Sequence, residues 1–238
     1  FRRNGKRPSA ALELAIKGQY FFARYGAALL SAKIVEARGS RFTLLAGYFF
    51  VLLGFLTMLL FWKENISYLP VALAYALVGL GIGLAGTPAS RSLTGSVPVT
   101  RVGMASGTAD LQRDLGGAIF NSLFGALLAT GYAAAMTASI AAAPQGEQIP
   151  ASVTSSLTMS YAGAQSVAAQ YPQYASQITA AANSAFLAGD QYAYLAGIIA
   201  VLIGAALVFF VFPKRDKERE VLVGYHQQDM AAMVPAES

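Results

Sequence analysis

The stretch GLGIGLAGTPASRSLTGSVPVTRVGMASGTADLQRDLGGAIFNSLFGALL, Gly79 to Leu128, holds two glycine-rich apolar segments, a short polar turn bearing Arg91 and Arg101, and a charged trio, Asp110, Arg113 and Asp114. An apolar run near 20 residues crosses a bilayer core of about 30 Å as a helix, and closely spaced glycines let such helices pack backbone to backbone. Charges beside such runs are costly in lipid, which makes the trio a candidate site.

Working outward, the whole chain shares this character. Its 238 residues are 55% hydrophobic and 12% charged, half the roughly 25% charge of a typical soluble domain, and the mean hydropathy is +0.49. A soluble globule is excluded on these numbers. There is no cysteine and one histidine, His226, so no disulfide framework or thiolate metal site can form, and neither a metal nor another cofactor is expected. A membrane-embedded enzyme would need clustered histidine, serine or aspartate groups at a wet face. No such set is present, and the chain reads as a non-enzyme. The net charge of +5 comes from Lys and Arg that flank apolar spans instead of forming one patch, which argues against nucleic acid as a partner. The first residue is Phe1 and no signal peptide is visible, so the sequence reads as a fragment.

Apolar runs predict an all-α membrane protein with about five transmembrane helices, at 18–35, 42–62, 68–90, 103–130 and 191–212. The second, FTLLAGYFFVLLGFLTMLLFW, has 21 residues without a charge and ends on Trp62, a residue favoured at headgroup level. In the third, Gly79, Gly81 and Gly83 are no phosphate cradle, because no strand precedes them. Gly79 and Gly83 are four apart and share a helix face, and Pro88 marks the helix end or a kink near it. Arg24 and Lys33 interrupt the first span, at about 2.5 to 3.5 kcal/mol each at a bilayer centre. Lys33 can snorkel; Arg24 requires a polar interior or a poorly inserted helix.

The expected organisation is a truncated basic segment over 1–17, four spans within 18–130, an external Ala/Ser/Gln-rich loop over 131–189 with short helices punctuated by Pro144, Pro150 and Pro172, a final span over 190–212 and a solvated cytoplasmic tail over 213–238. Asp190 reads as a cap or dipole partner of the last helix. Asn65-Ile66-Ser67 fits a glycosylation sequon but lies too near two helix ends to carry weight. Lys33, Arg38 and Arg41, then Arg91 and Arg101, then Lys214, Arg215, Lys217 and Arg219 fall on one side, which the positive-inside rule makes cytoplasmic. The basic start, FRRNGKRPS, disagrees with that parity.

The loop AKIVEARGSR, with Glu36, Arg38, Gly39 and Arg41, resembles in part the GxxxDRxGRR signature of the major facilitator superfamily, with Ala32 and Glu36 in place of Gly and Asp and Arg38 displaced by one. The run from Gly79 to Gly125 carries the stronger resemblance. GIGLAGTPAS, RVGMASG and QRDLGGAIFNSLFGALL look like the closing helices of the fourteen-helix drug:proton antiporter branch of that superfamily, through Gly103, Ala105, Ser106, Gly107, Arg113, Gly116 and Gly117. The long loop before the last helix and the basic tail also fit.

That resemblance implies part of the C-terminal bundle of a major facilitator fold in the inner (plasma) membrane. It implies efflux of hydrophobic or cationic small molecules in exchange for protons by alternating access, with lipid, a drug-like substrate, protons and the remainder of the transporter chain as partners. Glu36, Arg38, Gly39 and Arg41 would form a cytoplasmic gate loop, and Gly79, Gly83, Gly103, Gly107, Gly116 and Gly117 would pack helices. A narrow-substrate exporter, a symporter or an accessory membrane subunit fits the same helices.

The trio has two readings. If its helix enters the membrane near Val102, Asp110, Arg113 and Asp114 lie about 12 to 18 Å deep, where an intrahelical ion pair lowers the cost of burial and one aspartate can carry a proton. Asn121 would line the same path. Residues 115–136 are also 22 uncharged residues able to span alone, which would leave the trio at the cytoplasmic surface.

Overall fold

A computed structural model describes residues 10–63, 66–95, 97–143 and 148–233. Asn65 of the sequon, Pro144 and the basic start FRRNGKRPS lie outside them. All regular structure among the described residues is helical: α1 (Ala10–Arg38), α2 (Ser40–Phe61), α3 (Tyr68–Thr94), α4 (Val102–Ala141), α5 (Ala151–Met159), α6 (Tyr161–Gln170), α7 (Ala175–Val211) and α8 (Arg215–Met233), with short 3-10 turns at Val99–Arg101 and Pro172–Tyr174.

Four of these, α2, α3, α4 and α7, are long and apolar enough to cross a membrane, against the expected five. The difference is α1, a single helix of 29 residues whose Glu13, Lys17, Arg24, Lys33 and Glu36 break every long apolar window. It nevertheless packs along α3, and the Arg24 side chain is exposed.

Glycines set the crossings. A Cβ on Gly79 would stand 2.9 Å from the Tyr20 carbonyl oxygen, and one on Gly83 would meet the Arg24 carbonyl oxygen, so α1 lies directly on the α3 backbone. On the other side of α3, a Cβ on Gly81 would stand 2.6 Å from the Gly47 carbonyl oxygen of α2. Such approaches gain dispersion contacts where hydrophobic burial offers little, because lipid tails are as apolar as the side chains. The Phe55 ring of α2 fills the space left by Gly197 of α7.

Of the two outcomes expected at Pro88, the helix end is overturned: α3 runs through it to Thr94. Proline lacks the N–H that would bond the Leu84 carbonyl four residues earlier. The buried Ser31 hydroxyl of α1 donates to that carbonyl at 2.7 Å. A side chain from the neighbouring helix thus replaces the missing hydrogen bond, which is how proline is tolerated at membrane depth.

The stretch 131–189 is largely helical. At 40 and 37 residues, α4 and α7 are about 60 and 55 Å long, roughly twice the apolar thickness of a bilayer. They cross where a Cβ on Gly131 would stand 2.8 Å from Gly189 Cα. Beyond that point they continue as a hairpin capped by α5 and α6. Tyr132, Met136, Leu157, Ala164, Val167, Ala182 and Ala185 form its core. The Tyr132 hydroxyl donates to the Leu157 carbonyl at 3.0 Å, the Tyr161 hydroxyl to Asn183 Oδ1 at 2.8 Å, and Ser160 Oγ caps α6 by accepting from the Gly163 N–H at 3.0 Å.

Candidate functional site

The charged trio lies in the first third of α4. The Arg113 guanidinium donates to Asp110 Oδ1 at 2.8 Å, one turn apart, with the two side chains 69% and 61% exposed. Asp114 and Asn121 are exposed too. A Cβ on Gly103, Gly107, Gly116 or Gly117 would meet nothing within 4 Å. Among the described residues, this half of α4 therefore presents its glycines and charges, together with exposed Met104, Leu111, Leu115, Ile119 and Phe120, on a face that α1, α2, α3 and α7 leave open.

The gate-loop residues are brought together differently. One residue, Gly39, separates α1 from α2, at φ 87°. An L side chain is strained in that region, and a Cβ here would also press on Arg215 Cβ at 3.1 Å. Arg215 of α8 donates from Nη2 to the Glu36 carbonyl at 2.9 Å, while the Glu36 side chain is exposed. Arg38 stacks over the Phe42 ring at 4.9 Å, and Arg41 lies over the Phe209 ring at 4.9 Å and donates to the Phe209 carbonyl at the end of α7.

The acid that holds the start of α2 is Glu218 of α8. Its carboxylate accepts from the Ser40 N–H at 3.2 Å and from the Ser40 hydroxyl. A carboxylate at the first turn satisfies an orphan N–H and complements the helix dipole. The charge-dense segment after Pro213 is thus a helix with docked residues. Sequence reasoning missed it because its partner is 178 positions away.

Asp190 is the second omission. Since α7 starts at Ala175, Asp190 lies four turns inside it and caps nothing, correcting the expectation of a helix-start residue. Its half-buried carboxylate lies beside the Trp62 indole at the end of α2. The Trp62 and Tyr194 rings meet edge to face at 6.0 Å, and Asp190 and Tyr75 of α3 both stand beside Tyr194. The available signal was Asp190 and Tyr194 at i and i+4 in a segment whose only charge is Asp190.

These features define a helical protein with several membrane-crossing helices. The chain is 26% identical over 170 residues, 71% of its length and 32% of the relative's, to the multidrug efflux pump LfrA of Mycolicibacterium smegmatis. It is 37% identical over 100 residues, 42% of its length and 18% of the relative's, to the multidrug resistance protein Stp of Mycobacterium tuberculosis. The chain is homologous to multidrug efflux pumps and spans about a third or less of these relatives' lengths, which bears out the likeness to the drug-exporting branch of the major facilitator superfamily. No protein-family model and no solved structure matches it.

Proposed function

We propose that these residues form part of the C-terminal bundle of a major facilitator exporter that moves hydrophobic or cationic small molecules out of the cell in exchange for protons. The observation that carries this reading is the homology to multidrug efflux pumps over 71% of the chain. The open face of α4 supports it: glycines with free space beside them, next to an exposed ion pair, suit a helix that packs against further elements of the same transporter around a central cavity.

Transport proceeds by alternating access, with the loop Glu36–Arg41 on the cytoplasmic side beside α8 and the α4–α7 hairpin outside. In this reading Asp110 or Asp114 exchanges protons, with Arg113 paired to Asp110. Accumulation of ethidium in cells expressing the whole protein, with and without a protonophore, tests the proposal. Low accumulation that rises on adding the protonophore is expected; accumulation indifferent to it overturns proton coupling. Asp110→Asn and Asp114→Asn are measured alongside. Loss of efflux in at least one, at normal membrane abundance, is expected, and unaltered efflux in both removes the trio from the path.

A further inference from the structure

Four elements meet at the Gly39 turn, and three of them bring a guanidinium there: Arg38 from the last turn of α1, Arg41 from the first turn of α2 and Arg215 from the start of α8. Arg38 lies over the Phe42 ring and Arg41 over the Phe209 ring of α7, each at 4.9 Å. Arg41 also donates to the Phe209 carbonyl, and Arg215 to the Glu36 carbonyl at 2.9 Å. Among the described residues these guanidiniums thus meet rings and carbonyls, while the one acid bonded at the turn, Glu218, holds the Ser40 N–H and hydroxyl. Over 36–41 and 214–220, six basic side chains stand against four acidic ones, which leaves a positive excess. A guanidinium presents its N–H donors in a rigid fork that matches a phosphate. Arg38 and Arg41 are already held on rings, so little further ordering is needed when an anion arrives.

The rings have a second face. Phe42 is 44% and Phe209 52% exposed, on two helices long and apolar enough to cross a membrane. They make an apolar strip that ends in guanidiniums. On the other side lies α8: Arg215 sits against Gly39, and Leu222 Cδ2 stands 2.9 Å from where a Cβ on Gly95 would be, so this helix runs across the ends of α1, α2 and α3. Strip and cations together suit an amphiphile with an anionic head. A soluble acidic peptide would match the cations and leave the exposed rings uncovered. A zwitterionic lipid would bring an ammonium of its own against the guanidiniums.

We propose that the junction of α1, α2, α7 and α8 binds an anionic phospholipid, its phosphate held by Arg38, Arg41 and Arg215 and its acyl chains lying along Phe42 and Phe209. The bound headgroup joins α2 to α8, so the lipid strengthens the hold of α8 on the Gly39 turn. The site requires the chain to lie in a membrane and is independent of any transport activity.

The whole exporter, purified in detergent and stripped of its own lipid, is offered equal amounts of phosphatidylglycerol and phosphatidylcholine, and native mass spectrometry counts what it retains. Preferential retention of phosphatidylglycerol by the parent is expected. Arg38→Gln removes a guanidinium whose described contact is a single ring; it lowers the preference about fivefold, and together with Arg41→Gln about tenfold or more. Arg38→Lys keeps part of the preference, and Lys63→Gln, just beyond the other end of α2, leaves it unchanged. Should the double variant fail to fold, Arg38→Gln decides alone. Excess inorganic phosphate is expected to leave the lipid in place. Equal retention of the two lipids by the parent, or an undiminished preference in the folded arginine variants, overturns the site. Displacement of the lipid by inorganic phosphate makes it a site for free anions and overturns the lipid. Dye efflux is no part of this readout, so failure of the efflux reading and failure of the lipid site are told apart.

Discussion

Ser31 shows how one hydroxyl decides whether a helix can contain proline. Its bond to the Leu84 carbonyl occupies an acceptor that Pro88 strands, inside a dry interface where the Ser31 side chain is fully buried. Leaving such a carbonyl unpaired costs about 1 to 3 kcal/mol. Ser31→Ala is therefore expected to lower the thermal melting temperature of the detergent-purified protein, and Ser31→Thr, which keeps the hydroxyl, to restore most of it; equal melting of all three would deny the bond any weight. Pro88 and the apolar windows around it were legible in the sequence, but the extension of α3 beyond Pro88 was not. Proline's local rule says that a helix stops, and the exception depends on a donor 53 positions away in sequence.

Among elements, α8 and the loop at Gly39 act on each other. Glu218 closes the first turn of α2, Arg215 closes the end of α1, and Gly39 makes room for Arg215 by its positive φ and missing Cβ. Helix-capping carboxylates are worth about 0.5 to 2 kcal/mol. Glu218→Ala is expected to raise amide hydrogen exchange in the first turn of α2 while leaving α3 unchanged, and Gly39→Ala to do so more strongly, since it adds backbone strain to a clash with Arg215. Unchanged protection at Ser40 to Leu44 in both variants would mean that α8 rests there without holding anything. The motif residues Glu36, Arg38, Gly39 and Arg41 were visible as a loop between apolar spans. That the capping acid comes from the far end of the chain was invisible, because a helix N-terminus accepts a carboxylate from any element that reaches it.

For the whole molecule, α4 and α7 divide at the Gly131–Gly189 crossing into a hairpin half capped by α5 and α6 and a half that the proposed topology places in the membrane. In the hairpin, which the proposed topology places outside the membrane, Met136 is 1% exposed, so Met136→Ala is expected to cost about 2 to 5 kcal/mol locally and to make α5 and α6 sensitive to limited proteolysis with the other helices intact; equal cleavage of parent and variant would deny the hairpin a cooperative core. In the membrane half, Gly116→Leu meets open space within this chain, yet is expected to abolish dye efflux by the whole exporter at normal abundance, because another helix of the transporter occupies that space. Retained efflux would turn that face toward lipid. Composition and apolar run length determined that the chain is helical and membrane-crossing, and the glycine and charge spacing from Gly79 to Gly125 determined the resemblance, because these are local properties of a segment in a low-dielectric solvent. Only the tertiary structure decided that Asp190 meets Trp62, that Ser31 rescues Pro88, that Glu218 caps α2 and that the supposed loop is a capped hairpin. Each depends on which distant group fills a vacancy, and hydropathy, which scores residues one at a time, carries no information about partners.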